Sequence, residues 1–302
     1  MTWYEAVENL WEIIDQIADD LIALPEWEEG DATWDTTTKT SENARRVVHH
    51  IADDIYLGLI QSNFVRRAGA QSLYGKGLIV TISDAWAANA PSGNIQVVYV
   101  PFEADSSSAI DADLANFQIV YKLFTGAGGF ALVGVPPANA LDVYQSNFLV
   151  VVERNTAKIY ADGYTNFHIF TDGNYIGYGS DLFNTNNCGA DLFGVNVRWY
   201  RYTHPFILQA HAEPAYEKAY KAFKSIGDGK AYFMKPVLHN DIFGVTPWLQ
   251  PEFWIAIDST KANLADDDEL ALPGPSTKTY QVTRKQSPDS ALYLWYAIIK
   301  SE

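Results

Sequence analysis

A single cysteine, Cys188, stands in a chain of 302 residues. It excludes an internal disulfide and any zinc site built on cysteine pairs, so the fold must be held by its core. Bases are scarce: Lys and Arg number 21 against 37 acids, and charged residues make up 19% where an average soluble chain has about 25%. That deficit excludes a protein that wraps nucleic acid through a basic surface, so no sequence-specific nucleic-acid partner is expected. Long apolar runs are missing too. Phe148 to Val152 is among the longest, against the roughly 20 residues a membrane-spanning helix requires. No membrane span is expected, and with no basic n-region at the start no signal peptide either. The Asn-x-Ser/Thr sequon is absent, which disfavours a secreted glycoprotein.

The net charge of −16 is unevenly placed. Eleven of the 37 acids, from Glu5 to Asp35, precede the first base, Lys39, while the remaining residues are close to balance. Acids gathered at one end argue against a halophile surface, which would spread them along the chain.

The same region carries the clearest helical pattern. Thr2 and Glu5 have capping-box spacing, and Trp3, Val7, Leu10, Ile14, Ile17 and Leu21 follow at steps of four and three, a heptad seam that Pro25 ends. With Val7 at position a, Glu5, Glu8, Glu12, Asp15 and Asp19 fall opposite the seam, on a face expected to be wet or to meet cations. Tyr4, Trp11 and Ile13 widen the apolar face beyond a narrow coiled-coil stripe. The seam is therefore expected either to dock on its own domain or to associate with a second copy.

A Thr-rich link follows, and a short helix is expected from Ser41 to about Asp54. Beyond it the chain reads as strands: Ile55 to Ser62, Gly77 to Ser83, Ile95 to Pro101, Phe117 to Phe124, Phe130 to Val135, Asn147 to Glu153 and Tyr164 to Thr171 are β-branched and aromatic runs. Turn clusters at Pro91 to Asn94, Gly126 to Gly129, Asp162-Gly163 and Asp172-Gly173 separate them, which predicts an antiparallel meander. A second helix is expected from Glu213 to Ile226, then strands at Ala231 to Leu238, Glu252 to Asp258, Thr279 to Thr283 and Leu292 to Ile299. The expected fold class is mainly β with an N-terminal helix (α+β), built of antiparallel sandwich or barrel domains. Three parts are expected: 1–40, the acidic helix and link; 41–212, a central β domain; and 213–302, a helix with a small barrel-like unit.

Motifs for chemistry are few. His49 and His50 are adjacent and diverge on a helix or strand, while His204 and His211 lack the spacing that sets two imidazoles on one helical turn. His239-Asn240-Asp241 reads as a turn before it reads as a base with its orienting carboxylate, since no nucleophile motif lies near. Gly126 to Gly129 lacks the Lys-Ser/Thr ending of a phosphate loop, and neither Asp266 to Glu269 nor Asp111-Ala112-Asp113 has calcium-loop spacing. No catalytic residue, metal or cofactor is expected, although a carboxylate pair of the glycosidase kind has no sequence signature and stays open. Aromatics stand at 14%, and Trp248, Phe253 and Trp254, between prolines, form a candidate binding loop able to stack on sugars.

Two stretches carry a resemblance. The closing segment, with Asp268-Glu269-Leu270, Gly274, Tyr280-Gln281-Val282 and a last strand Leu292 to Ile299, resembles the final strands of the small β-barrel head-to-tail connector and tail-completion proteins of tailed viruses. The middle, with Val151-Val152-Glu153-Arg154 and Tyr160 to Phe167, is similar to virion proteins of phages and prophages. The resemblance implies a non-enzymatic virion subunit, assembled in the host cytoplasm with itself and other virion proteins into a neck, tail or baseplate element. There an acidic helix would repel passing DNA or lock into a neighbour's basic patch. Two alternatives from other classes are a carbohydrate-binding adhesin that takes a glycan receptor and a glycan hydrolase.

Overall fold

A computed structural model describes residues 2–31, 45–62, 77–87, 90–101, 118–135, 148–154, 166–172, 202–203, 233, 239–240, 252–258, 264–265, 267–271, 278–286 and 293–301. The elements are β1 (Thr2–Asn9), α1 (Leu10–Ile22), β2 (Trp27–Glu29), β3 (Arg45–His50), β4 (Ile55–Ser62), β5 (Gly77–Ala87), β6 (Ala90–Pro101), β7 (Gln118–Gly126), β8 (Gly129–Val135), β9 (Phe148–Arg154), β10 (Phe167–Asp172), β11 (Tyr202–Thr203), β12 (His239–Asn240), β13 (Trp254–Asp258), β14 (Glu269–Ala271), β15 (Thr279–Gln286) and β16 (Tyr293–Ser301). The protein is mainly β with one N-terminal helix, and its ladders are antiparallel. Among the described residues no sheet closes into a barrel.

Two five-stranded sheets enclose the main core. The first has the order β1-β7-β8-β9-β10, and the second is a plain meander, β2-β3-β4-β5-β6. Alternation along the strands turns Ile119, Tyr121 and Leu123 of the first sheet and Val48, Leu57 and Leu59 of the second toward a shared interior. Helix α1 fills it. Leu10, Ile13, Ile14, Ile17 and Leu21 are completely buried there, so the chain's own sheets cover the apolar stripe.

The helix is shorter than its heptad pattern. Residues 2–9 form β1, paired with β7 from Thr2↔Thr125 to Asn9↔Gln118, so Trp3 and Val7 lie in a strand and not on the helix. The working capping box sits seven residues on: the Asn9 side chain accepts from the Glu12 backbone N–H at 3.0 Å, and the Glu12 carboxylate accepts from the Asn9 N–H at 3.2 Å. Both boxes have legal spacing. A partner strand more than 100 residues away decides between them, and no local signal reports it. Pro25 does follow the helix end, as expected.

Two further expectations are corrected. The segment expected as a helix from Ser41 contains β3, held between β2 and β4, with a turn over 51–54. Pro91 to Asn94 lie inside β6, where Gly93 and Asn94 together oppose Asp84 of β5 as a bulge, so the chain bends there without reversing. β1 and β2 belong to the two large sheets and α1 to the core between them, so the N-terminal segment is part of the body. The helix expected over 213–226 lies outside the described residues.

Strands β8 and β9 of the first sheet are buried on both faces. Leu132, Val150 and Val152 face the main core, while Ala131, Val133, Leu149 and Val151, offset by one, are buried on the opposite side. The C-terminal sheet, order β13-β16-β15-β14, packs against that side: Tyr280, Ala297 and Ile299 cluster with Phe124 of β7. Lys122 pairs with Asp267, and the Glu252 backbone N–H donates to the Glu153 carboxylate at 3.0 Å. A strand covered on both faces reads as a continuous apolar run, which is the reason Phe148 to Val152 is so hydrophobic.

Candidate functional site

The densest group of titratable side chains gathers where the two large sheets meet, at the end of β3. As expected for neighbours in an extended chain, His49 and His50 diverge. His50 points inward and is 2% exposed, packed edge-on against Trp27 and Phe167 with ring centroids 4.9 Å from each. His49 points outward, stacked on Tyr56, with Nδ1 2.9 Å from Glu28 Oε1 and Nε2 2.9 Å from Asp54 Oδ1. Asp54 has φ 53°, a left-handed conformation that an Asp tolerates in a tight turn.

Asp53, in the same turn, is the hub. Its carboxylate accepts from Arg154 Nε at 2.5 Å, Arg154 Nη2 at 3.2 Å and Asn166 Nδ2 at 2.8 Å, while its backbone N–H donates to His50 Nδ1 at 3.3 Å. Arg154 ends β9 and Asn166 precedes β10, so the turn of the second sheet is fastened to the first. Hydrogen bonding from Arg154 holds the Asp53 carboxyl below its ordinary pKa, and Asp53 raises that of Arg154 in return. Burial pushes His50 down, the Arg154 cation pushes the same way, and the pull of Asp53 does not reverse it. His50 Nδ1 also lies 3.1 Å from Asp53 Oδ2, so Asp53 presents both a donor and an acceptor to the same ring nitrogen.

The neighbouring hairpin completes the joint. Gly126 pairs with Gly129 around Ala127-Gly128, which makes the glycine cluster a tight turn. Gly129 has φ 127°, and a Cβ there would stand 2.2 Å from Val152 O, so only glycine fits. The turn brings Ala127 O within 3.0 Å of Trp27 Nε1 and Gly128 O within 2.7 Å of the Arg154 N–H.

A second cluster organises the N-terminal acids. Arg46 is 8% exposed on the inward face of β3 and donates to Asp15 at 2.6 Å, Asp19 at 3.0 Å and Glu29 at 3.1 Å. Burial opposes its charge, but three carboxylates outweigh burial and its pKa is raised. Other acids of the same stretch also turn inward: Glu8 accepts from Tyr121 Oη at 2.6 Å, Asp20 from Thr125 Oγ1 at 3.0 Å and Asp31 from Trp86 Nε1 at 3.2 Å. On the face expected to be wet or to meet cations, Asp15 and Asp19 do meet a cation, Arg46.

Of the residues singled out beforehand, Leu10, Ile14, Ile17 and Leu21 come together in the core, and Trp3 and Val7 lie apart from them in β1. Of the candidate sugar-stacking loop, Phe253 is buried and Trp254, in β13, is half-buried and lies edge-to-face on Tyr280 at 6.5 Å, while Trp248 is outside the described residues. His239 and Asn240 form β12, paired with Tyr202 and Thr203 in β11. Asp241, His204, His211, Asp111 and Asp113 lie outside the described residues. In the C-terminal acidic run, Asp268 accepts from the Ala265 N–H at 2.8 Å and Glu269 pairs with Lys300. Among the described residues no three His, Cys, Asp or Glu side chains are grouped as metal ligands. Among the described helices none is long and apolar enough to cross a membrane.

Asp53, Arg154, Asn166 and Arg46 carry no local motif, since their partners are far away in sequence. The single hint was compositional: a base inside an apolar strand run, as Arg46 is, requires a buried acid. Comparison with known protein families, curated proteins and solved structures returns no match.

Proposed function

We propose that this chain is a structural subunit of a tailed-virus particle, assembling through contacts with itself and other virion proteins into a neck, tail or baseplate element. The observation that carries a structural role is the use to which the charged residues are put. Asp53 with Arg154 and Arg46 with its three carboxylates each tie separate elements together, and their hydrogen-bonding capacity is directed at one another. Carboxylates and guanidinia engaged in this way make a stiff body suited to bearing load. The sheets themselves stay open, and open sheets offer edges to neighbouring subunits. The particle and its tailed-virus class rest on the resemblance of the middle and closing segments described above. A glycan receptor finds less support, with Phe253 buried and Trp254 half-buried against Tyr280.

The test is light scattering on the purified chain joined to negative-stain microscopy. A mass that is a multiple of 33.7 kDa, with ring or collar particles, is the expected result. A monomer at high concentration that forms no particle alone or with a virion lysate overturns the reading.

A further inference from the structure

We infer that β1 pairs with β1 of a second copy of this chain, antiparallel and centred on Ala6, so that the first sheet runs on through a two-fold axis; the inference rests on the assembly reading above and names its contact. β7 lines one side of β1 along all eight of its residues, and among the described residues no strand pairs with the other side. An edge of that length is a template for another strand. Beside it, Val120 is one of two large apolar side chains that the described residues leave exposed, at 43%, and it stands on β7 in register with Val7. Val120 thus stands exposed one strand in from that edge.

The identity of the occupant follows from the register. Residues directly opposed in antiparallel strands share a face, so a two-fold axis normal to the sheet must pass through a residue and not between two. Centring on Glu5 or on Ala6 gives the longest overlap, seven pairs. Glu5 at the axis would oppose two carboxylates, which is repulsive. Ala6 at the axis opposes the smallest side chain in the strand to itself, Glu5 to Val7, Tyr4 to Glu8 and Trp3 to Asn9, with no like charges facing. Glu8 is also engaged from behind, accepting from Tyr121 Oη at 2.6 Å. The strand is therefore complementary to itself at one register, and the pairing is isologous.

The test is an Ala6→Cys variant in a Cys188→Ser background, set beside light scattering of the parent chain. Opposed Cα atoms lie about 4.5–5.5 Å apart, within disulfide reach, so mild oxidation should give a linked dimer on a non-reducing gel. Glu8→Cys in the same background should not link, because the two copies of residue 8 lie about 14 Å apart at roughly 3.4 Å per residue. Val120→Lys, at an exposed position, should raise the dimer dissociation constant by about tenfold with the melting temperature unchanged. If the chain assembles but Ala6→Cys does not link, or Val120→Lys leaves the mass unchanged, the edge pairing is wrong and the assembly reading survives. A monomeric parent chain overturns both.

Discussion

Arg154 donates from Nε and Nη2 to the two carboxylate oxygens of Asp53, at 2.5 and 3.2 Å, and so joins residues 101 apart in sequence. The pair fastens the β3–β4 turn of one sheet to the end of β9 in the other. Layers that would otherwise meet only through apolar contact are fixed in orientation by it.

Removing either partner should therefore destabilise the body by more than a surface ion pair would. Arg154 is about a third exposed, so solvent screens part of the interaction, and a loss of about 1–2 kcal/mol is expected for Asp53→Asn or Arg154→Met. Urea midpoints of the two single variants and the double variant check it. The double should cost less than the sum of the singles, and additive costs would show that the two groups act independently.

Stability should fall with acid in two windows. Asp53 is held below its ordinary pKa, chiefly by hydrogen bonds from Arg154. On acidification the unfolded chain takes up that proton first, so stability present above about pH 3.9 is lost as pH falls through the folded value. His50 is depressed chiefly by burial, with Arg154 and His49 acting the same way and Asp53 and Glu26 opposing. Below about pH 6.5 the unfolded state binds a proton that the folded state refuses, so its contribution also declines downward, beginning near pH 6.5. Melting temperatures from pH 7.5 to 3 should show both slopes. His50→Phe, which keeps an aromatic ring between Trp27 and Phe167, should flatten the upper slope alone.

Arg46 is the cation for Asp15, Asp19 and Glu29. Replacing it with Met keeps the stem's volume but leaves three carboxylates together, one of them on a side chain only 23% exposed. A cost of about 3 kcal/mol is expected at neutral pH, since breaking a buried pair strands the remaining charge. Asp15→Asn added to Arg46→Met should recover part of it, read from the same denaturation curves, and no recovery would mean that the loss is one of packing.

Much of the strand plan was legible in the sequence because each strand from β4 to β9 is bounded by turn residues and carries β-branched or aromatic runs; Ile55 to Ser62 coincides with β4 itself. The N-terminal twenty residues were less legible for a physical reason. Thr2 to Asn9 carries a helical seam and lacks the period-two alternation of a half-buried strand, and only pairing with β7 makes it one. β3 was hidden in the same way, its Val47-Val48 buried on opposite faces and its bases reading as solvent contacts. The joint at Asp53 was illegible because it is made wholly of long-range pairs.

The two rival capping boxes give a direct check on that start. Asn9→Ala should cost about 1 kcal/mol, because the Glu12 N–H loses its acceptor. Thr2→Ala should cost little, its residue being the first of a strand. Equal losses in urea titrations, or a larger one at Thr2, would restore the longer helix.

Gly58 offers the sharpest packing test. It lies in β4 opposite Thr81, and the Trp86 ring rests on it. A Cβ at this position would stand 2.5 Å from Thr81 Oγ1, closer than real contacts allow, and 3.2 Å from the indole, a tight contact. Thr81 is fully buried and cannot swing into solvent, so Gly58→Ala must displace it or lift Trp86, which also donates to Asp31 at 3.2 Å. A loss of about 1–3 kcal/mol is expected. Shortening Thr81 to Ala removes the nearer obstacle, so the cost of Gly58→Ala should fall in that background while the contact with Trp86 keeps it above zero. A cost unchanged by Thr81→Ala would place the strain at Trp86, and a shifted indole emission maximum would then accompany it.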